Sequence, residues 1–202
     1  MKVSFFSRKN GAFLYRKGFF MNLQNNRTDK LKKLTFSAML MAMAFLLPFL
    51  TGQIPEIGKA LCPMHIPVLL CGFICGWPWG VVVGFFAPIL RSLLLHMPPL
   101  FPTAFAMAFE LAAYGFAAGL LYKLLPKKPL YIYIDLIIAM IFGRIVWGTV
   151  MFIISGFGKT SFSFAAFYAG AFTNAIPGII LQIVVIPAII IALRKTRFML
   201  ND

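Results

Sequence analysis

The sequence predicts an all-α integral membrane protein, a bundle of six transmembrane helices, from its composition, the length of its apolar runs and its charge distribution. Of the 202 residues, 61% are apolar, and the mean hydropathy is +0.89. A soluble domain is about 45–50% apolar, so the excess apolar surface needs lipid around it. The length suffices for one bundle and leaves little for a second domain.

Five apolar runs mark the membrane-spanning segments, because a helix needs about 20 apolar residues to cross the hydrocarbon core. The runs cover residues 34–50, 66–95, 101–125, 131–154 and 172–193. The second run is long enough for one kinked helix or two short ones. Trp77 and Pro78, between Gly76 and Gly80, interrupt it, and we expect a turn there.

The positions of Lys and Arg decide between these alternatives. With two helices over 66–95, 15 of the 19 Lys and Arg lie on the side of the N-terminus and three on the other. With one helix the division is 11 to seven. Positive charge collects in cytoplasmic loops, so we predict six helices in the plasma membrane with both termini cytoplasmic. The net charge of +14 lies at the ends and in one loop, which excludes a nucleic-acid-binding face.

The chain divides into a basic cytoplasmic N-terminal segment (1–33), a membrane domain (34–193) and a cytoplasmic tail (194–202). Met21 is an alternative start, in which case residues 1–20 are not translated. The second helix begins near Pro67 and is short, and backbone at membrane depth needs a protein or water cover. We therefore expect the loop from Thr51 to Met64 to fold back over the outer face as a lid.

Small residues recur every four positions on several predicted helices. In lipid, such faces let helix backbones approach closely, and we interpret most of them as packing within the bundle. Ala38 and Ala42 lie near the cytoplasmic end of the first helix, where a partner subunit could dock. The other small residues that recur every four positions are Gly72, Gly76, Gly80 and Gly84, and Ala108 and Ala112.

Charges within the predicted helices mark the candidate site, because charge inside a bilayer is costly and usually functional. Glu110 and Arg144 each lie about 14–15 Å below the outer boundary at 1.5 Å per residue, so they can pair. Arg91, near the outer end of the third helix, is a third charged candidate. Asp135, near the cytoplasmic end of the fifth helix, is interpreted as interfacial.

Four further residues complete the predicted site. Tyr114 and Trp147 share helix faces with Glu110 and Arg144, since residues three and four apart are neighbours on a helix. The last helix adds the uncharged polar side chains of Asn174 and Gln182.

Two interpretations of the cluster stay open. The Glu110–Arg144 pair is either a salt bridge that fixes helix register or part of a polar pocket open to the outer side. In the pocket, two arginines against one glutamate leave one positive charge, which suits a substrate with a carboxylate or another acceptor-rich group.

The sequence carries no catalytic, metal-binding or ATP-binding motif, so we predict that the chain is not an enzyme. Gly158-Lys159-Thr160 resembles the end of a P-loop, but Ile153 replaces the earlier glycine. Cys71 and Cys75 are better read as buried small residues than as metal ligands. His65 and His96 are predicted in outer loops, and His65 is interpreted as a lid or structural residue.

The chain resembles the substrate-binding (S) component of an energy-coupling factor (ECF) transporter over most of 34–194. The resemblance rests on the size, the six short helices and Ala38-Met39-Leu40-Met41-Ala42, which is similar to the family's A-x-x-x-A docking motif. The segments 64–70, 80–84, 91–93 and 98–102 are similar to the vitamin branch, with its riboflavin, pantothenate and hydroxymethylpyrimidine carriers.

The resemblance implies a riboflavin-carrier-like fold that binds a vitamin from outside, with a slight preference for pantothenate. It also implies docking through Ala38 and Ala42 onto a transmembrane coupling protein that carries two ATPase subunits, so that ATP is used by the partners and this chain needs no cofactor. The alternatives are an autonomous small transporter or channel, a membrane-embedded enzyme, and an assembly subunit.

Overall fold

The computed structural model describes residues 27–49, 61–157, 175–196 and 199–201, and within these ranges the chain contains helices and no strands. The described ranges contain the following six α-helices, with a π-helical turn (Leu100–Ala104) before the fourth of them. They are α1 (Arg27–Phe49), α2 (His65–Cys75), α3 (Trp77–Leu95), α4 (Phe105–Leu124), α5 (Pro129–Phe157) and α6 (Ile176–Lys195).

Five of these helical segments are long and apolar enough to cross a membrane, whereas α2 has only 11 residues. At 1.5 Å per residue, α2 is about 17 Å long, roughly half the thickness of the hydrocarbon core. The described helices therefore confirm the predicted all-α membrane bundle, including the short second helix.

The turn between α2 and α3 lies at Gly76, as predicted. Gly76 has φ 97°, and its amide donates to the carbonyl of Gly72. Glycine adopts this backbone conformation readily because it has no Cβ. Pro78 then occupies the first turn of α3, where its missing N–H costs no helical hydrogen bond.

The first helix starts earlier than the apolar run from which it was predicted. It begins at Arg27, and its first turns are exposed and polar, with an ion pair of 3.9 Å between Lys32 and Asp29. Hydropathy marks only the lipid-facing part of a helix, while backbone hydrogen bonding continues into water. On this helix Ala38 and Ala42 are both exposed.

Close backbone contact between glycines holds α2, α3 and α4 together. A Cβ on Gly80 would lie 2.6 Å from the carbonyl oxygen of Gly115, and one on Gly72 would lie 2.7 Å from the same atom. A Cβ on Gly84 would meet the backbone of Leu111, and one on Gly119 that of Trp77. These contacts confirm that the glycine series serves packing within the bundle.

The central element is α4, which packs against α2, α3 and α5. The buried face of α4 carries several alanines, among them Ala108. It also carries the polar side chains of Glu110 and Tyr114. Cys71 and Cys75 of α2 are buried, as predicted. The fold thus places a carboxylate of the central helix against the two helices on either side of it.

Candidate functional site

The candidate site is built around the carboxylate of Glu110, whose residue is 2% exposed. Its Oε1 accepts a hydrogen bond of 3.1 Å from the hydroxyl of Tyr114, one turn further along α4. The same oxygen lies 2.9 Å from Nη1 of Arg144 on α5 and 3.4 Å from Nε2 of His65 on α2. Three helices therefore meet at one carboxylate oxygen, and the predicted Glu110–Arg144 pair is confirmed.

The shape of the site depends on a glycine next to the arginine. A Cβ on Gly143 would lie 2.6 Å from Cε1 of Tyr114, so only glycine leaves room for that ring against α5. The ring of His65 meets the Tyr114 ring edge-on, with the centroids 5.1 Å apart. Tyr114 is thus held by packing on two sides, and its hydroxyl is directed at Glu110.

Two buried nitrogen atoms of the site have no hydrogen-bond partner among the residues that the structure describes. They are Nε of Arg144 and Nδ1 of His65. More than nine in ten buried polar groups in proteins are hydrogen-bonded, and an unmet buried group costs about 1–3 kcal/mol. The charges of Glu110 and Arg144 balance each other, but the hydrogen-bonding capacity around them is not filled.

Cys62, at the end of the predicted lid loop, lies directly over the arginine. Its Sγ is 3.7 Å from Nη2 of Arg144, and its backbone has φ 46°, in the left-handed region. Burial raises the pKa of the Cys62 thiol above its ordinary value, although the nearby Arg144 acts in the opposite direction. The sulfur near Arg144 is therefore a neutral thiol at pH 7, which is a weak acceptor. Residues 51–60 of the lid loop lie outside the described residues.

Arg91 is buried but does not join the carboxylate. Its Nη1 donates a hydrogen bond of 2.9 Å to the backbone carbonyl of Phe45, and its guanidinium lies 5.5 Å from the centre of the Phe49 ring. Both contacts are at the C-terminal end of α1, where the helix dipole favours a cation. Within the described ranges no ion pair links Arg91 to Glu110, so this arginine fastens α1 to α3.

The remaining residues singled out from the sequence are Trp147, Gln182, Asn174 and Asp135, of which the structure describes all but Asn174. Trp147 lies one turn from Arg144 on α5 and is half-buried, and Gln182 is buried in α6. In the part of the chain that the structure describes, no hydrogen bond connects Gln182 to the Glu110 cluster. Asn174 lies outside the described residues. Asp135 is 1% exposed and so is buried in the bundle, unlike the interfacial position expected for it.

Sequence reasoning missed three features of the site. His65 was predicted in a loop, but it is the first residue of α2 and is 2% exposed. Cys62 and Gly143 were not considered, although Gly143 directly precedes the one arginine predicted deep in a helix. A small residue beside a buried charge is the signal that could have indicated close packing around it.

A bundle of apolar helices with a buried ionic cluster defines a multi-pass membrane protein with a polar site shared by three helices. Over residues 32–190 the chain matches a family model described as the substrate-specific component of an ECF transporter. The match covers most of the chain, which therefore belongs to this family. Comparison with curated proteins and with solved structures gives no match.

Family membership has three direct consequences. The chain is the substrate-binding part of a transporter and not an enzyme. It works together with an ECF module of transmembrane and ATPase subunits. It is a multi-pass membrane protein, consistent with the five apolar helical segments that are long enough to span a bilayer.

Proposed function

We propose that this protein is the high-affinity receptor subunit through which an ECF transporter imports a vitamin or a related micronutrient. The observation that carries the proposal is the convergence of His65, Glu110 and Arg144, from three helices, on one carboxylate oxygen. A polar cluster buried in lipid-embedded helices is costly. It is best explained by a ligand that uses the polar atoms left open around it, above all the Nε–H donor of Arg144.

The slight preference for pantothenate belongs to this proposal. Arg144 is paired with Glu110 and Arg91 with a backbone carbonyl, so the case for an acidic vitamin rests on open donor atoms more than on excess charge. Trp147, Asn174 and Gln182 are proposed to line the remainder of the pocket, and residues 51–64 to close it from the outer side. Both termini are proposed to lie in the cytoplasm, with the protein in the plasma membrane.

The experiment that tests this function is identification of the bound molecule. We expect native mass spectrometry of the purified protein to reveal one stoichiometric small molecule, and calorimetry with that compound to give tight binding. An autonomous transporter would instead take up substrate without ATPase subunits. A protein that retains no small molecule and binds no vitamin would contradict the proposal and favour an assembly role.

We further propose that the coupling protein docks on the exposed face of α1 that carries Ala38 and Ala42. The partner subunits would then supply the ATP-driven step, and this chain would need no cofactor of its own. Small exposed residues allow another helix to approach closely in lipid. Both alanines face outward from the bundle, whereas Leu40 and Ala44 of the same helix are buried against it.

We expect Ala38→Trp to abolish uptake while leaving ligand binding unchanged, because the indole would hold the partner helix away without reaching the Glu110 cluster. The measurements are vitamin uptake by cells with the complete transporter and calorimetry of the purified subunit. Met43→Trp, also exposed on α1, is a matched control, because Met43 is neither three nor four residues from Ala38 or Ala42 and so lies off the small-residue face. Uptake at the unsubstituted level in Ala38→Trp would exclude docking at this position.

A further inference from the structure

The guanidinium of Arg144 has two edges, and the structure uses them differently. One end, Nη1, lies 2.9 Å from the carboxylate of Glu110. The other edge carries Nε–H and one N–H of Nη2, which point in the same direction because the group is planar. Nη2 has the sulfur of Cys62 at 3.7 Å, and Nε has no hydrogen-bond partner among the described residues.

This open edge lies in a buried environment. The Arg144 side chain is 9% exposed, so bulk water has little access to its N–H groups. A thiol is a weak acceptor for a hydrogen bond. Burial keeps the Cys62 sulfur protonated by raising the thiol pKa, so the sulfur does not supply the anion that the edge is suited to bind.

We infer that the substrate presents a carboxylate to the Nε–Nη2 edge of Arg144, and that it takes the place that Cys62 now occupies. The inference rests on the proposed receptor function and adds the group by which the substrate is recognised. Two parallel N–H···O bonds between arginine and a carboxylate are short, strong and geometrically specific. Glu110 holds the opposite end, so the edge is fixed in orientation before the ligand arrives.

Cys62 offers a test that does not disturb Arg144. Its left-handed backbone, with φ 46°, is a conformation that Asn and Asp tolerate better than most residues. Cys62→Asp would place a carboxylate of the protein itself within reach of the open edge. Cys62→Asn has nearly the same size and no charge, so the two variants differ mainly in the group offered to Arg144.

The probes are pairs of an acid and its uncharged counterpart: pantothenate with pantothenol, and nicotinate with nicotinamide. We expect the protein to bind an acid at least 30-fold more tightly than its counterpart in calorimetry. We expect Cys62→Asp to weaken binding of that acid at least tenfold more than Cys62→Asn does. Arg144→Lys, which keeps the charge but loses the two-pronged edge, should weaken it at least tenfold.

The outcomes separate this inference from the function on which it rests. Tight binding of an uncharged nutrient, equal binding of an acid and its counterpart, or equal effects of Cys62→Asp and Cys62→Asn would overturn the carboxylate assignment and leave the receptor function standing. Absence of any bound small molecule, by calorimetry and by native mass spectrometry, would contradict both. Thermal melting of each variant identifies any that fails to fold, and in that case the acid and amide pairs on the unsubstituted protein decide.

Discussion

Arg144→Ala is expected to weaken binding of the vitamin by about 30-fold to several thousandfold. Truncating one member of a buried, hydrogen-bonded charge pair at a binding site costs about 2–5 kcal/mol, and each 1.4 kcal/mol is a factor of ten in affinity. The substitution removes the guanidinium and leaves the carboxylate of Glu110 buried without its cation. Both effects reduce the affinity for a substrate that needs the donors of Arg144.

Glu110→Ala is expected to have an effect of similar size for a different reason. The carboxylate oxygen is shared by Tyr114, His65 and Arg144, and its removal leaves all three without the acceptor that positions them. Networks of this kind act as units, so single deletions can cost more than one pairwise contact. The protein should still insert, because removing a charge makes α4 more apolar.

The measurement is isothermal titration calorimetry on purified variants, with melting temperatures to check folding. Arg194→Ala is the matched control: Arg194 donates to the backbone carbonyl of Lys127 and is predicted at the cytoplasmic end. Arg194→Ala should bind the vitamin with an affinity within about twofold of that of the unsubstituted protein. Wild-type affinity in both Arg144→Ala and Glu110→Ala would show that the cluster is a structural salt bridge and that the substrate binds elsewhere.

The fold was predictable because the bilayer constrains it strongly. Apolar length identified the spanning helices, and the asymmetry of Lys and Arg resolved the run from 66 to 95 into α2 and α3. Helix ends were less accurate, since the start of α1 lies in water, where hydropathy carries no signal. The break in the run from 66 to 95 was predictable because Pro78, two residues after Gly76, is hard to place within a continuous helix.

The site was predictable only in part. The depth of a residue in the membrane can be counted along its helix, but the direction in which its side chain points cannot be counted in the same way. Counting from the outer boundary placed Glu110 and Arg144 at one level, and they are paired. Arg91 was also predicted near the outer side, but its guanidinium reaches the end of α1. Helix rotation decides such contacts, and an almost uniformly apolar helix gives little information about its rotation.

His65 and Cys62 were missed as members of the cluster for a related reason. Both lie where a loop re-enters the bundle. A loop has no regular repeat of residues, so the sequence does not indicate which way its side chains point. Their positions depend on the short α2 and on the left-handed backbone at Cys62. The sequence does not specify that conformation, because cysteine has no preference for it.

The second large effect is expected from enlarging a glycine between α3 and α4. Gly80→Leu should abolish recovery of folded protein, and Gly80→Ala should lower the melting temperature. A Cβ at this position would lie 2.6 Å from the carbonyl oxygen of Gly115 and 2.9 Å from its carbonyl carbon. These are backbone atoms, which cannot rotate away as a flexible side chain can, so the two helices must separate.

The size of the effect follows from packing energetics. Overpacking a well-filled core costs about 1–3 kcal/mol for small enlargements. For a chain of this length, each kcal/mol shifts the melting temperature by about 2–4 °C. Alanine favours a helix by about 1 kcal/mol over glycine, which leaves a net loss of up to about 2 kcal/mol, so Gly80→Ala should melt lower by up to about 8 °C. Leucine adds several more atoms at the same point of contact, and a small movement of the two helices cannot accommodate them.

Gly156→Ala is the control that isolates packing from helix propensity. Among the described residues, and apart from its own turn of helix, no atom lies within 4 Å of a Cβ placed on Gly156, so this variant should melt at or above the temperature of the unsubstituted protein. Fluorescence-detected size-exclusion chromatography after heating measures all three variants in detergent. If Gly80→Leu were recovered as a monodisperse, ligand-binding protein, close approach of α3 and α4 would not hold the bundle together. The α4 face that carries Glu110 would then have to be positioned by its contacts with α2 and α5 alone.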